Sequence, residues 1–238
     1  MPLLLLPLLA LAAEDPAALA DALVAAMRAA EARARTYTFT LERWEVVDGV
    51  RTPNIVVEVR HRKPDALYAR WVGDYERGQE VLYLPKSHPK QFLVNPTGLI
   101  PPLWLELRGA AAMRANRHSV DELGFPYLVG RIAADHARLQ TPGAPAATYV
   151  DLGLSPVAGR PARCYRATLP RAALPSLYAD QVEVCVDEAL HLPTRVDAWD
   201  LVDGRLVQVE HYVYRSITVN PPLTDLDFDP ANPAYNLD

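Results

Sequence analysis

The chain carries few of the features that announce a chemistry. Only 2 of its 238 residues are cysteine, and neither sits in the CxxC or Cys/His spacing of a zinc site. It has no basic excess: 24 Lys and Arg stand against 29 Asp and Glu, a formal charge of −5. That balance argues against a nucleic-acid partner. The six histidines form no HExxH or other close ligand pair, and there is no GxSxG elbow, Walker loop or dinucleotide fingerprint. Carboxylates such as Glu42 and Glu45 have no spacing that identifies a glycosidase. Beyond the first dozen residues no run is long and apolar enough to span a bilayer. The residues alone show no reaction chemistry. A non-enzymatic protein without metal or cofactor is the expectation.

What is present begins at the N-terminus. Met1–Ala12 reads MPLLLLPLLALA, with the small-x-small form at Ala10-Leu11-Ala12, and Glu14-Asp15-Pro16 then turns polar. The run is far short of the ~20 residues of a transmembrane helix, so a signal peptide cleaved after Ala12 is expected, although no Lys or Arg precedes it. No cysteine follows the cleavage site, so a soluble periplasmic or secreted product is expected rather than a lipid-anchored one. About 225 residues then remain, enough for one large domain or two small ones. Packing residues 13–238 as one domain is the simpler reading.

Asp15-Pro16 is a helix start, an N-cap carboxylate followed by proline at the first helical position. Leu19, Leu23, Val24, Met27 and Ala30 recur at helical spacing, which predicts a helix over about 16–35. At Thr36 the period becomes two: Tyr37, Phe39 and Leu41 alternate with polar residues. Asp48-Gly49 marks a hairpin, and Ile55, Val57 and Val59 alternate on the return. Strands follow over 66–72, 80–84 and 91–95. Residues 99–140 break the meander, and Leu103, Trp104, Leu107, Met113, Leu123, Leu128 and Ile132 predict two or three helical segments there. Strands resume over 148–154, 163–169, 181–187, 194–202 and 205–219, ahead of a proline-rich tail. The 22 prolines, mostly between apolar runs, suit many short strands. The fold class is α+β, a curved antiparallel sheet wrapped over helices.

Cys164 and Cys185 fall on neighbouring strands, both on the polar face by parity. A register opposing them also opposes Arg166 to Glu183 and Tyr165 to Val184, which are favourable cross-strand pairs. In an exported protein this is a disulfide; the alternative is two independent thiols. His211 shares a strand face with Val207, Val209, Val213 and Arg215, either as a polar pair in a greasy cavity or as a satisfied core histidine near the sheet end. Asp225-Leu226-Asp227-Phe228-Asp229 has the spacing of half a calcium loop. Pro230 stands where that loop needs glycine and Asn236 where it needs glutamate, so an acidic turn is expected. Arg60-His61-Arg62-Lys63 is either an anion contact or a charged sheet edge.

Several stretches, in order along the chain, resemble a bacterial domain family of unknown function related to the periplasmic lipoprotein carriers of the LolA and LolB type. They are Arg62-Lys63-Pro64, Leu67-Tyr68-Ala69-Arg70-Trp71, Gly78-Gln79-Glu80-Val81-Leu82-Tyr83, Asn116-Arg117-His118-Ser119-Val120 with Gly124, and Asp187 with Leu192-Pro193-Thr194-Arg195. Asp227-Phe228-Asp229, Asn232-Pro233 and Tyr235 complete the set. The resemblance implies an unclosed half-barrel over helices with an apolar cavity between them, and no catalytic residues. In the carriers that cavity holds acyl chains. The expected ligand is therefore a lipid or lipoprotein acyl chain, passed to or from a membrane-associated donor or acceptor protein. Tyr37, Phe39, Leu41, Ile55, Val57, Val59, Trp71, Val209, His211, Val213 and Arg215 are the candidate lining; core packing against the first helix is the alternative. Two other functions remain open from the sequence: an envelope interaction protein with a filled core, and a hydrolase using His118, His211 or the tail aspartates.

Overall fold

The structure, a computed structural model, describes residues 15–64, 66–98 and 100–238. The expected leader lies outside them. Helix α1 (Pro16–Arg33) begins where the Asp15 carboxylate accepts the Ala17 N–H at 3.0 Å and Pro16 occupies the first turn. Its buried stripe is Ala20, Val24, Met27 and Ala30.

A first meander follows: β1 (Thr36–Val47), β2 (Val50–Arg51), β3 (Ile55–Arg62), β4 (Ala66–Trp71), β5 (Glu80–Tyr83), β6 (Gln91–Asn95) and β7 (Leu103–Glu106). The β1–β2 turn sets Asp48 and Gly49 at φ 50° and 78°, the left-handed pair a two-residue hairpin requires. A second meander runs through β8 (Thr148–Val157), β9 (Arg160–Thr168), β10 (Gln181–Asp187), β11 (Pro193–Val202) and β12 (Arg205–Val219). Between them lie α2 (Ala110–Met113), a 3₁₀ turn at Val120–Glu122 and α3 (Phe125–Leu139).

All strands join one antiparallel sheet of 12, in the order β7-β6-β5-β4-β3-β1-β12-β11-β10-β9-β8, with β2 paired only to β1. β1 against β12 is the seam between the meanders, and β7 and β8 are the two edges, so the sheet is unclosed. The inserted segment departs from the helical expectation at its start: Leu103 and Trp104 lie on edge strand β7, paired with Val94 and Leu93. Pairing to β6 overrides a pattern too short to separate a strand from a helix.

The concave face packs on α1 and α3. Along β1 it presents Tyr37, Phe39, Leu41, Arg43 and Glu45, all buried. Gly124, at φ 133°, introduces α3 beside the Tyr37 hydroxyl, in a backbone conformation that favours glycine. The convex face is covered twice. On one wing the C-terminal tail lays Phe228, Tyr235 and Leu237 over Tyr68, Leu82 and Leu93, with Tyr68 and Tyr235 stacked at 3.9 Å. Asp225 and Asp227 pair with Arg62 and Arg60, and Lys63 pairs with Glu31. The basic run and the tail aspartates thus hold a strap. On the other wing Cys164 and Cys185, directly opposed, are disulfide-bonded. The register is the one that opposes Arg166 to Glu183 and Tyr165 to Val184. Both cysteines are buried, under Val157 and Val213.

Candidate functional site

Between the concave sheet, α3 and the segment 111–123 lies a cavity of about 280 Å³, at the lower edge of the ~300–1,000 Å³ of small-ligand sites. Its apolar walls include Leu41, Ile55, Val57, Trp71, Val81, Phe92 and Val94 from the first meander, and Tyr165, Val184 and Val196 from the second. Leu128, Ile132 and Leu139 of α3 face them. Towards the start of β1 the hollow gives way to a solid aromatic cluster: Phe125 lies 5.2 Å from both Tyr37 and Phe39 and 5.1 Å from Tyr214, ring centre to ring centre. Such pairs add about 0.5–1.5 kcal/mol each beyond area burial.

The other end is polar. Glu45 of β1 and Glu210 of β12 are opposed in register and fully buried. Two like charges so placed require cations and donors. Arg43 pairs with Glu45, the Tyr212 hydroxyl donates to Glu45 at 2.6 Å, and so does the Arg117 backbone N–H at 2.6 Å. The Arg117 guanidinium meets Glu210 at 2.6 Å, and the Tyr178 hydroxyl donates to it as well. His118 spans the group, with Nδ1 2.9 Å from Glu122 and Nε2 2.6 Å from the Tyr178 hydroxyl and 3.3 Å from Glu210. Burial alone lowers the His118 pKa, but the hydrogen bonds to Glu122 and Glu210 and the charges of Glu210 and Glu45 raise it to about 9. The imidazolium therefore donates from both nitrogens at neutral pH. Burial alone raises the Glu210 carboxyl; His118, Tyr178 and Arg117 overcome this and hold it below the usual range.

A folded pKa above the unfolded one gives stability that is complete below the ordinary value of ~6.5 and vanishes as pH climbs through about 9. Thermal melts from pH 6 to 9.5 should therefore show the wild type losing up to about 3 kcal/mol through this group. His118→Gln should flatten that part of the profile. Parallel profiles for the two proteins would refute the assignment.

Of the expected lining residues, Leu41, Ile55, Val57 and Trp71 face the cavity. Tyr37, Phe39 and Val59 share that concave side but lie in the packed core beyond it. Four others are placed elsewhere. Val209 sits at the irregularity where β12 slips against Ala198 and Trp199, packed on Ala179 and Ala198. His211 binds Asp197 at 2.5 Å and stacks on Trp44. Val213 covers the disulfide, and Arg215 pairs with Glu42 at 2.5 Å. The reason is that mid-β12 is buried on both faces, so its valines do not mark the cavity side; Glu210, Tyr212 and Tyr214 do. Sequence reasoning missed Arg43, Glu45, Glu210, Arg117 and Tyr178. The usable signal was in β1, where Arg43 and Glu45 continue the alternation of Tyr37, Phe39 and Leu41. Among the described residues no group of three or more His, Cys, Asp or Glu is arranged to hold a metal.

The sheet is an open half-barrel packed over helices, with a hollow between the two. The chain belongs to the family described as protein of unknown function (DUF1571), which matches residues 34–237. Among solved structures it is similar to MucB at 14% identity and a TM-score of 0.54, over 92% of this chain and 65% of MucB. It is similar to LprF from Mycobacterium bovis at 9% identity and a TM-score of 0.50, over 87% of this chain and 98% of LprF. A LolA superfamily protein from Nitrosomonas europaea matches more loosely, at 12% identity and a TM-score of 0.38, over 88% of this chain and 97% of that one. At these identities the likeness is one of fold. No curated protein sequence matches.

Proposed function

We propose that the protein is an exported, non-enzymatic binder of lipid or lipoprotein acyl chains, held in the cavity between sheet and α3. The observation that carries this reading is the hollow itself: a core of this size normally closes on its own side chains, yet about 280 Å³ stays unfilled behind aliphatic walls. Each buried methylene contributes about 0.8 kcal/mol, so a long chain needs no charged anchor. A periplasmic setting and a cleaved leader belong to the same proposal, as does the organisation of residues 13–238 as one domain. A donor or acceptor protein is part of it too: MucB, similar in fold, is found in complex with MucA from Pseudomonas aeruginosa. The β11–β12 hairpin leaves Leu201, Val202, Leu206 and Val207 exposed, a surface suited to such a partner.

Native mass spectrometry of protein purified from the cell envelope tests the reading. Lipid adducts are expected on the wild type and none after delipidation. Val57→Trp, which fills the cavity from β3, should abolish them while keeping the fold. A wild type that emerges free of lipid, and takes up none when offered, would refute it.

A further inference from the structure

We propose that the cavity recognises an acyl ester through its oxygens, with the Trp71 indole Nε1–H and the Ser119 hydroxyl as donors; this rests on the acyl-chain reading above. Both side chains line the cavity. Both are more than nine-tenths buried, Trp71 at 8% exposure and Ser119 at 4%. Among the described residues neither Trp71 Nε1 nor Ser119 Oγ has a hydrogen-bond partner, and the same holds for the lining Arg131 Nε. An indole N–H donates only, and a buried donor left unmatched is costly. The carboxylate oxygens around them are taken: Glu45 by Arg43, Tyr212 and Arg117, Glu210 by Arg117, His118 and Tyr178. The Trp71 and Ser119 donors are thus left without an acceptor, and a ligand that fits the cavity supplies one.

Charge narrows the class further. The deep cations are each matched, Arg43 by Glu45, Arg117 and His118 by Glu210, and Arg131 by Asp135. The remaining lining arginine, Arg114, is exposed. A free carboxylate would bring an unmatched charge into this end. A neutral ester has the acceptor without that liability. Glycerolipids carry such esters, and so does the diacylglyceryl group of a lipoprotein.

The test uses the delipidated full chain. Titration with monomyristoylglycerol and with myristate should show tighter binding of the ester. Trp71→Phe and Ser119→Ala should each weaken ester binding about five- to tenfold relative to myristate binding. In ¹H–¹⁵N spectra of the wild type the Trp71 indole resonance should move downfield on adding the ester, a readout that does not depend on any variant folding. Equal ester affinity in the variants, or an unmoved resonance with ester bound, would overturn the donor assignment and leave chain binding standing. Failure of both probes to bind would overturn the acyl-chain reading as well. A synthetic dimyristoylglyceryl-cysteine peptide, set against dimyristoylglycerol so that the chains match, completes the set: tighter binding of the peptide assigns the ester to a lipoprotein, weaker binding to a free lipid.

Discussion

Glu210→Leu is expected to destabilise the protein by about 3 kcal/mol, lowering the melting temperature by roughly 6–12 °C. Glu210 is fully buried and accepts from Arg117, His118 and Tyr178. Removing it leaves a guanidinium and an imidazolium in a site made for their counter-charge. Breaking such a pair costs about 3–5 kcal/mol. The lower end applies because Arg117 keeps Asp200 at 3.4 Å and His118 keeps Glu122 at 2.9 Å. The same substitution should bring the His118 pKa down from about 9, since Glu210 supplies both a hydrogen bond and a charge that raise it. Glu210→Gln, which retains an acceptor, should lose less. Circular-dichroism melts decide the first point and histidine proton shifts the second. A Glu210→Leu protein that melts within about 2 °C of the wild type would show that the network holds nothing in place.

Reduction of the disulfide should cost a comparable amount. Cys164 and Cys185 are separated by 21 residues, and closing a loop of that length removes about 3 kcal/mol of unfolded-chain entropy. The bond ties β9 to β10 at a directly opposed pair and is covered by Val157 and Val213, so the folded protein should resist reductant that the unfolding protein does not. Melts with and without dithiothreitol should differ by roughly 6–12 °C. Cys164→Ser/Cys185→Ser should melt like the reduced wild type and ignore the reagent. Identical melts for oxidised and reduced protein would remove the disulfide from the account of stability.

Most of the architecture was legible because it is written in local signals. The Asp15-Pro16 cap, the period-two runs of β1 and β3 and the Asp48-Gly49 turn fix elements from their own residues. The register of β9 on β10 followed from charge and cysteine parity alone. The site was less legible. Leu41, Val57 and Trp71 are apolar whether they meet a partner side chain or a void, and only the space left by α3 separates the two. β12 misled because Val213 is buried against the disulfide on the convex side, while the cavity side carries Glu210, Tyr212 and Tyr214. The Glu45–Glu210 pairing joins residues far apart in the chain, so no window of sequence displays it.

That pairing also fixes when the protein acquires its site. The seam sets Tyr37 opposite Val219, the first strand against the last, which gives the sheet a high contact order and a slow closing step. Until β12 has emerged, β1 has β3 on one side and an open edge on the other, the arrangement most prone to stray pairing. Glu45 meanwhile lacks the strand that supplies Tyr212 and the Glu210 network. The hollow exists only once both halves have met, so a chain still lacking its second half has no cavity. The cavity is the last feature the fold completes.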